Sequence, residues 1–271
     1  MSRRYCARRC SPGFARRRVV PKVPNAEFMK QMRPIGLYQV FYKVIAKVLA
    51  GRLNQILPNV ISEAHNGFVK GKDISDNILI AQEVMQFLKT KTQGRDKWMV
   101  VKLDMEKAYD RVEWGFLFAV MEALGFDRQW IKWMKACVTS VSFSLILNGT
   151  EHGYFRPHRG IRQGDPLSPL LYAIYTEAFS AMIDGALSSN QLHELKVHRH
   201  APTISHLLFA DDSYLFLRAS SIECSSLLHL LELYEQSSGA KVNLSKSSVY
   251  FSSNVTDKEA SLLAGQLGIS S

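Results

Sequence analysis

Two adjacent acidic residues, Asp211 and Asp212, stand between two short apolar runs with no glycine or proline separating them. The flanking runs, 206–209 and 213–217, predict a β-hairpin whose tight turn carries both carboxylates. Adjacent carboxylates repel each other, so they either face water, as in an ordinary acidic turn, or bind a cation. Mg²⁺ prefers hard oxygen ligands of this kind.

A third carboxylate, Asp104, ends the apolar run 98–104, which predicts a buried strand. A strand backbone holds an acid at its end rigidly while the side chain faces a cleft. If this strand lies beside the strand that reaches Asp211, three carboxylates converge. Polymerases and nucleases accommodate such a cluster with two divalent ions about 3.5–4 Å apart. The spacing therefore indicates a metal site.

The composition bounds the protein that positions these acids. A chain of 271 residues that is 46% hydrophobic can bury a core, in one large domain or two subdomains. No apolar run approaches the ~20 residues that span a bilayer, so no membrane partner is expected. The four cysteines are too few and too scattered for a disulfide framework, so free thiols in a reducing compartment are expected.

The net charge of +10 is concentrated at one end of the chain. Residues 1–22 contain eight of the 34 basic residues and no acid, which leaves 26 basic and 24 acidic residues elsewhere. An Arg-rich tail of this kind is consistent with nucleic-acid binding, with a targeting peptide or with an unstructured remnant.

The remaining pattern predicts helices and short strands in mixed order. A helical stripe begins at Leu37 and ends before Pro58, and Ser75 or Asp76 is expected to cap the next helix. Further helices are expected at 116–126, 128–138, 168–183 and 222–237, with a last one that ends near Gly268, and strands at 142–147, 152–155 and 239–246.

Two loops have the composition of ligand-binding segments. The Gly-punctuated segment 63–72 carries Lys70 and Lys72, and backbone freedom beside lysines suits a phosphate-holding loop. The Gly/Pro-rich segment 159–169 leads into a helix, with Ser168 as the expected N-cap. A well-capped structural loop is the alternative explanation of the second segment.

Taken in order, these segments resemble the reverse transcriptase domain of non-LTR (LINE-type) retrotransposons. Their residues are most similar to those of elements typical of plant genomes. The resemblance covers about residues 18–267. The motifs that carry it are 33–35 (RPI), 66–69 (NGFV), 102–104 (KLD), 109–112 (YDRV), 159–169 (RGIRQGDPLSP), 209–212 (FADD) and 243–246 (NLSK).

The resemblance implies an α+β fold, the fingers and palm of a right-hand polymerase, with a small antiparallel palm sheet backed by helices. The reverse transcriptase domain is expected at 23–271, with fingers at about 23–97, palm at about 98–271 and some interleaving. The basic tail, 1–22, is expected to be disordered. The thumb and the primer-grip segment are expected beyond Ser271, so the chain alone is expected to polymerise poorly.

The family's metal ligands fall on Asp104, Asp211 and Asp212 of this sequence. Two Mg²⁺ ions, with Mn²⁺ as the alternative metal, would activate a primer 3′-hydroxyl and hold the dNTP triphosphate. Phe209 and Ala210 would support the hairpin.

The family's nucleotide contacts are carried over in the same way. Tyr109 matches the aromatic residue that excludes a ribose 2′-hydroxyl, and a tyrosine of the palm core is the alternative. Gln163 and Gly164 match the loop that contacts nucleotide and template. Cationic contacts with triphosphate, template or pyrophosphate are implied for Arg33, Lys70, Lys72 and Lys246.

Three functions follow from this pattern. The first is an RNA-directed DNA polymerase domain acting on an RNA template, a DNA primer and dNTPs, in the nucleus by the habit of the family. The second is a catalytically inactive fragment of a degenerate element. The third is an RNA-binding protein of the maturase kind. The departures from the family pattern, at Gly36 and at His65–Gly67, remove no metal ligand.

Overall fold

The structure is a computed structural model that describes residues 14–21, 23–25, 28, 31–38, 40–147, 150–209 and 212–269. These residues form two compact units. The first comprises the described residues of Met1–Ile56 and Tyr109–Tyr172, and the second those of Leu57–Ala108 and Ala173–Ser271. Both units combine two chain segments, whereas the sequence suggested fingers and palm divided near residue 97; that functional division stays a prediction. Over the described residues, no helix has the length and apolar character needed to cross a bilayer.

The helices and strands occur in mixed order along the chain. The helices are α1 (Val40–Ile56), α2 (Ile74–Thr90), α3 (Trp114–Ala123), α4 (Arg128–Thr139), α5 (Ser168–Ser188), α6 (Ser221–Ser238) and α7 (Asp257–Leu267). The strands are β1 (Phe14–Pro21), β2 (Met32–Tyr38), β3 (Trp98–Asp104), β4 (Ser142–Leu147), β5 (Thr150–Phe155), β6 (Leu195–Lys196), β7 (Thr203–Ile204), β8 (His206–Phe209), β9 (Asp212–Arg218) and β10 (Ser248–Phe251).

The second unit is built on an antiparallel sheet in the order β10-β3-β9-β8. The central strands β3 and β9 are apolar on both sides because both faces of the sheet are covered over most of their length. The small antiparallel sheet expected for the palm is therefore confirmed.

One face of this sheet changes character along its length. Side chains alternate between faces, so Trp98, Val100, Lys102 and Asp104 share one face of β3. At the Trp98 end, Val84 and Leu88 of α2 cover this face and complete a buried cluster. At the other end Lys102 and Asp104 remain partly exposed. Burial of one half holds the sheet in register while the other half is left accessible.

The first unit contains a second sheet, in the order β2-β1-β4-β5, in which β1 pairs with β4 in parallel. The expectation of a disordered tail is wrong for Phe14–Pro21, which form β1 between β2 and β4. Two neighbouring strands satisfy the backbone of this segment despite its charge. Residues 1–13 and 22 of the tail lie outside the described residues.

Two local predictions are corrected by hydrogen bonding. No strand forms at 239–246; the sheet strand is β10, and the preceding segment is a turn with one isolated bridge between Met105 and Val242. The N-cap of α2 is Asp73 rather than Ser75 or Asp76, because its carboxylate accepts a hydrogen bond from the Ser75 N–H. The sequence correctly predicted that a polar side chain caps this helix, but it placed the cap two or three residues too late.

Candidate active site

Asp104 and Asp212 are direct partners across the antiparallel pair β3–β9, and Asp212 also pairs with Phe209 of β8. Facing residues in such a pair have Cβ atoms about 4.5–5.5 Å apart on the same side of the sheet. The register therefore places both carboxylates together at the accessible end of the sheet.

The backbone of Asp104 is held from the other side by a turn. The Asp104 N–H donates to the Ser247 hydroxyl at 3.2 Å, and its carbonyl accepts from the Asn243 N–H at 2.8 Å. The Ser247 hydroxyl in turn donates to the Asn243 carbonyl at 2.9 Å. Lys246 is an exposed residue of this turn, so the structure brings its segment against Asp104.

Lys102 is a site residue that the sequence reasoning did not single out. Its Nζ lies 3.2 Å from the Asp212 carboxylate and 5.6 Å from the centre of the Tyr214 ring. Burial lowers the pKa of Lys102, but the hydrogen bonds to Asp212 and Tyr214 outweigh it and raise the pKa above the ordinary value. The available signal was its position two residues before Asp104, which puts both side chains on one face of a strand.

Among the described residues, no group of three or more acidic, histidine or cysteine side chains forms a metal site. Asp211 and Ala210 lie outside the described residues. A pair of carboxylates at adjoining strand ends fits Mg²⁺, which commonly takes one or two carboxylates and completes its shell with water and substrate phosphates. Phe209 contacts Tyr214 edge-on, with ring centres 5.4 Å apart, as a residue that supports the hairpin would.

A groove of about 530 Å³ opens beside Asp212. Its size falls in the range of ligand-binding clefts. One wall is the exposed side of α2, and the other carries three aromatic rings of the sheet. The lining residues are Ile78, Ala81, Gln82, Met85, Gln86, Lys89, Phe209, Asp212, Tyr214 and Tyr250.

The two lysines of segment 63–72 differ in environment. Lys70 is exposed in a turn that Gly71 closes at φ +83°. Lys72 is half-buried, and its ammonium donates to the carbonyls of Ile61 and Ser62 at 3.1 and 2.6 Å. The structure thus gives Lys72 an internal contact, while its predicted contact with phosphate stays a prediction.

Buried histidines connect both this segment and the hairpin strand β8 to α5. His65 shares a hydrogen bond of 2.5 Å with Thr176, and His206 shares one of 2.6 Å with Ser180. The Leu208 N–H of β8 donates to the Ala64 carbonyl at 2.8 Å. Burial lowers the pKa of each histidine to about 4, so both are neutral at pH 7.

In the first unit, Tyr109 and the 159–169 loop are part of one assembly. The Tyr109 ring stacks on Tyr172 with centres 5.1 Å apart, and its carbonyl accepts from the Ile161 N–H at 2.8 Å. Gly160 has φ +88°, and a Cβ there would lie 2.9 Å from the Asp110 carbonyl oxygen. Only glycine allows the loop to approach the 109–112 segment this closely.

Gln163 and Gly164 are the central residues of a turn in this loop, with Gln163 partly exposed and Gly164 exposed. Arg33 lies in β2, where its backbone pairs with Val20; its side chain lies outside the described part of the structure. The roles predicted for these three residues stay predictions.

Carboxylates at the ends of adjoining antiparallel strands, with a helix packed on the same face, agree with the polymerase palm that the family resemblance implied. A sequence model of the reverse transcriptase (RNA-dependent DNA polymerase) family matches residues 20–264. The chain belongs to this family, whose members generally use divalent metal ions.

Similar proteins indicate the type of reverse transcriptase to which the chain is related. The chain is 30% identical over 232 residues to the Transposon TX1 uncharacterized 149 kDa protein of Xenopus laevis, covering 85% of this chain and 17% of that protein. It is 27% identical over 159 residues to the Pol polyprotein of retrotransposable element R2DM of Drosophila melanogaster, covering 59% and 15%. The chain is a reverse transcriptase domain of the non-LTR, LINE type, and it spans about a sixth of the length of these relatives.

A solved structure shares the fold of this chain. A telomerase structure from Candida albicans, in complex with a fragment of telomeric RNA, superposes with a TM-score of 0.61 at 15% identity. The match covers 94% of this chain and 45% of the telomerase chain. The expected fingers-and-palm fold is confirmed.

Proposed function

We propose that Asp104, Asp211 and Asp212 hold two Mg²⁺ ions, with Mn²⁺ as the alternative, in an RNA-directed DNA polymerase that joins a dNTP to a primer 3′-hydroxyl. The observation that carries the proposal is the pairing of Asp104 with Asp212 across β3 and β9. Because the two strands adjoin at the residues that carry the carboxylates, they bring together ligands that a single acidic turn cannot.

Bound divalent ions would supply Lewis-acid activation of the hydroxyl and neutralise charge on the triphosphate. The residues of this chain hold the carboxylates in position. Asp104 is fixed from two sides, by the β9 pairing and by the turn that contains Asn243 and Ser247. Lys102 pairs with Asp212 at 3.2 Å and would compete with a bound cation for that carboxylate.

The proposed substrates are an RNA template, a DNA primer and dNTPs. Tyr109 excludes the ribose 2′-hydroxyl, and Gln163 and Gly164 contact nucleotide and template. Cationic contacts come from Arg33, Lys70, Lys72 and Lys246. These assignments are supported by the motifs that carry the family resemblance.

The groove beside Asp212 is proposed to accept part of a nucleic-acid strand. Phe209, Tyr214 and Tyr250 offer ring faces, and base–aromatic stacking contributes about 1–3 kcal/mol per base. Lys89 on the opposite wall supplies a cation for the phosphate backbone.

The test is primer extension by the purified chain on an RNA template, with Mg²⁺ and with EDTA. Extension should require Mg²⁺ and should fall at least about a thousandfold in Asp104→Asn and Asp212→Asn, because several kcal/mol of transition-state stabilisation depends on the metal. Asp257→Asn is the matched control, since Asp257 is an exposed acid on α7 of the same unit.

Extension that survives in Asp104→Asn would contradict the metal assignment. RNA binding without extension in the unaltered chain would favour the maturase-like alternative. Neither extension nor RNA binding would favour the inactive fragment. A nuclear location stays a prediction that microscopy of the tagged chain can decide.

A further inference from the structure

The residues predicted to meet the nucleotide in the first unit lie at the tip of a four-residue turn. The Asp165 N–H is directed at the Arg162 carbonyl at 3.4 Å, and Gly164 has φ +88°. A positive φ at the third residue is typical of a type II turn. Gln163 and Gly164 are therefore the central residues, and Arg162 and Asp165 are the two ends.

Both ends of this turn carry buried charges. Arg162 and Asp165 are only 5% and 4% exposed, and Arg162 Nη1 lies 3.8 Å from Asp165 Oδ2. Arg162 Nη2 also donates to the Cys137 carbonyl at 2.6 Å. Asp165 Oδ1 accepts from the Leu167 N–H at 3.0 Å, at the start of α5.

Tyr42 of α1 completes the cluster from a distant part of the sequence. Its hydroxyl donates to Asp165 Oδ2, and the Arg162 guanidinium lies 4.3 Å from the centre of its ring. Burial raises the pKa of the Tyr42 phenol far above its ordinary value, so it remains a donor. The adjoining cavity of about 10 Å³ has room for no more than one water, so the cluster is not a ligand site.

A role in stability alone does not account for such a cluster. A buried ion pair is often no more stabilising than apolar residues of the same volume, because both charges lose their hydration. What directional contacts add is a defined geometry. Here they connect the two ends of the turn that contains Gln163 and Gly164.

We propose that Tyr42, Arg162 and Asp165 are positioning residues that hold the Gln163–Gly164 turn in the conformation that meets the incoming nucleotide. The inference rests on the proposed function for the identity of that nucleotide. The same loop offers a contrast: Arg159 and Glu113 form an ion pair at 3.3 Å in which both side chains are exposed. That pair has none of the burial that would fix a backbone.

The experiment compares Tyr42→Phe and the double variant Arg162→Met/Asp165→Asn with the matched control Arg159→Met/Glu113→Gln. The asparagine keeps an oxygen for the Leu167 N–H, and the double variant leaves no charge unpaired. Thermal midpoints, primer–template Kd and the KM for dNTP are measured in the full chain. We expect KM to rise about tenfold in both cluster variants, with Kd unchanged, because small misplacements of a positioning group cost up to about a hundredfold.

Amide hydrogen exchange at 163–167 is measured in parallel, and it should accelerate in the cluster variants and not in the control. A lowered thermal midpoint with KM equal to that of the control would reduce the cluster to a structural role and overturn the proposal. If the unaltered chain extends no primer, the proposed function fails, and the exchange data still decide: unchanged exchange at 163–167 in the cluster variants overturns the inference.

Discussion

Asp104 and Asp212 in the second unit owe their positions to backbone pairing, whereas Gln163 and Gly164 in the first unit owe theirs to side chains. The carboxylates are register partners in a sheet whose far half is buried. The turn is fixed by Tyr42, Arg162 and Asp165. Backbone pairing between strands does not depend on most side chains of the sheet face. Most substitutions on that face should therefore leave the metal site in place. The turn should be sensitive to changes at residues that never touch a substrate.

Lowering the pH should destabilise the second unit more than the first. His65 and His206 have pKa values of about 4 in the native state and about 6.5 when unfolded. The unfolded state therefore binds more protons between these limits, and the free energy of unfolding falls as pH drops from about 6.5 to about 4. The loss is at most about 3 kcal/mol per histidine.

Chemical denaturation across this pH range, followed by hydrogen exchange in each unit, measures the effect. His206→Gln should flatten the pH dependence, and His198→Gln, an exposed histidine of the same unit, should not. An unchanged slope in His206→Gln would show that burial of this histidine does not couple to folding.

Gly160→Ala should destabilise the first unit by about 2 kcal/mol, because the new Cβ meets the Asp110 carbonyl oxygen at 2.9 Å and φ is +88°. Gly51→Ala, in the middle of α1 with open space around it, should instead be neutral or stabilising by up to about 1 kcal/mol. Denaturant midpoints measure both. Equal effects at the two glycines would mean that the loop does not require its close approach.

Tyr109→Ala should reduce discrimination against ribonucleotides about tenfold, since the volume that rejects the 2′-hydroxyl is removed. Tyr109→Phe keeps the ring that stacks on Tyr172 and should behave as the unaltered chain. The ratio of rNTP to dNTP incorporation is the measurement. If that ratio is unchanged in Tyr109→Ala, the tyrosine belongs to the core alone.

Lys102→Met should have the smallest effect, a fall of about threefold in the Mg²⁺ concentration that half-saturates the thermal shift. Its ion pair with Asp212 is partly exposed, and such pairs contribute at most about 1 kcal/mol. Lys97→Met removes a comparable pair with Glu259, away from the carboxylates, and should leave Mg²⁺ binding unaltered. A rise in the half-saturating concentration would show that Lys102 assists the metal rather than competing with it.

The two regions also differ in how far the sequence predicts them. Asp104 ends a short apolar run and Asp212 begins another, so these runs sufficed to predict strands that carry carboxylates at their ends. The pairing of those strands followed from the family resemblance. Lys102 escaped notice because a single lysine within a strand is indistinguishable from a solvated one until its neighbour strand is known.

The turn of the first unit was visible as a Gly/Pro-rich loop, but its anchoring was not. Tyr42 and Asp165 are 123 positions apart, and no periodicity links them. The Arg-rich strand β1 was missed for a related reason, since its partners β2 and β4 satisfy a backbone that local composition marks as disordered. Contacts between distant side chains, and strands that depend on neighbours, are set by tertiary structure.

The central claim is that divalent ions bind where β3 and β9 carry Asp104 and Asp212. Replacing Mg²⁺ with Fe²⁺ and adding peroxide and ascorbate generates hydroxyl radicals at the metal, and the resulting backbone cuts locate it without requiring catalysis. The account predicts cuts beside residues 104 and 212 and in the 243–247 turn, suppressed by excess Mg²⁺ and absent from Asp104→Asn. Cuts elsewhere, or an unchanged pattern in Asp104→Asn, would contradict it.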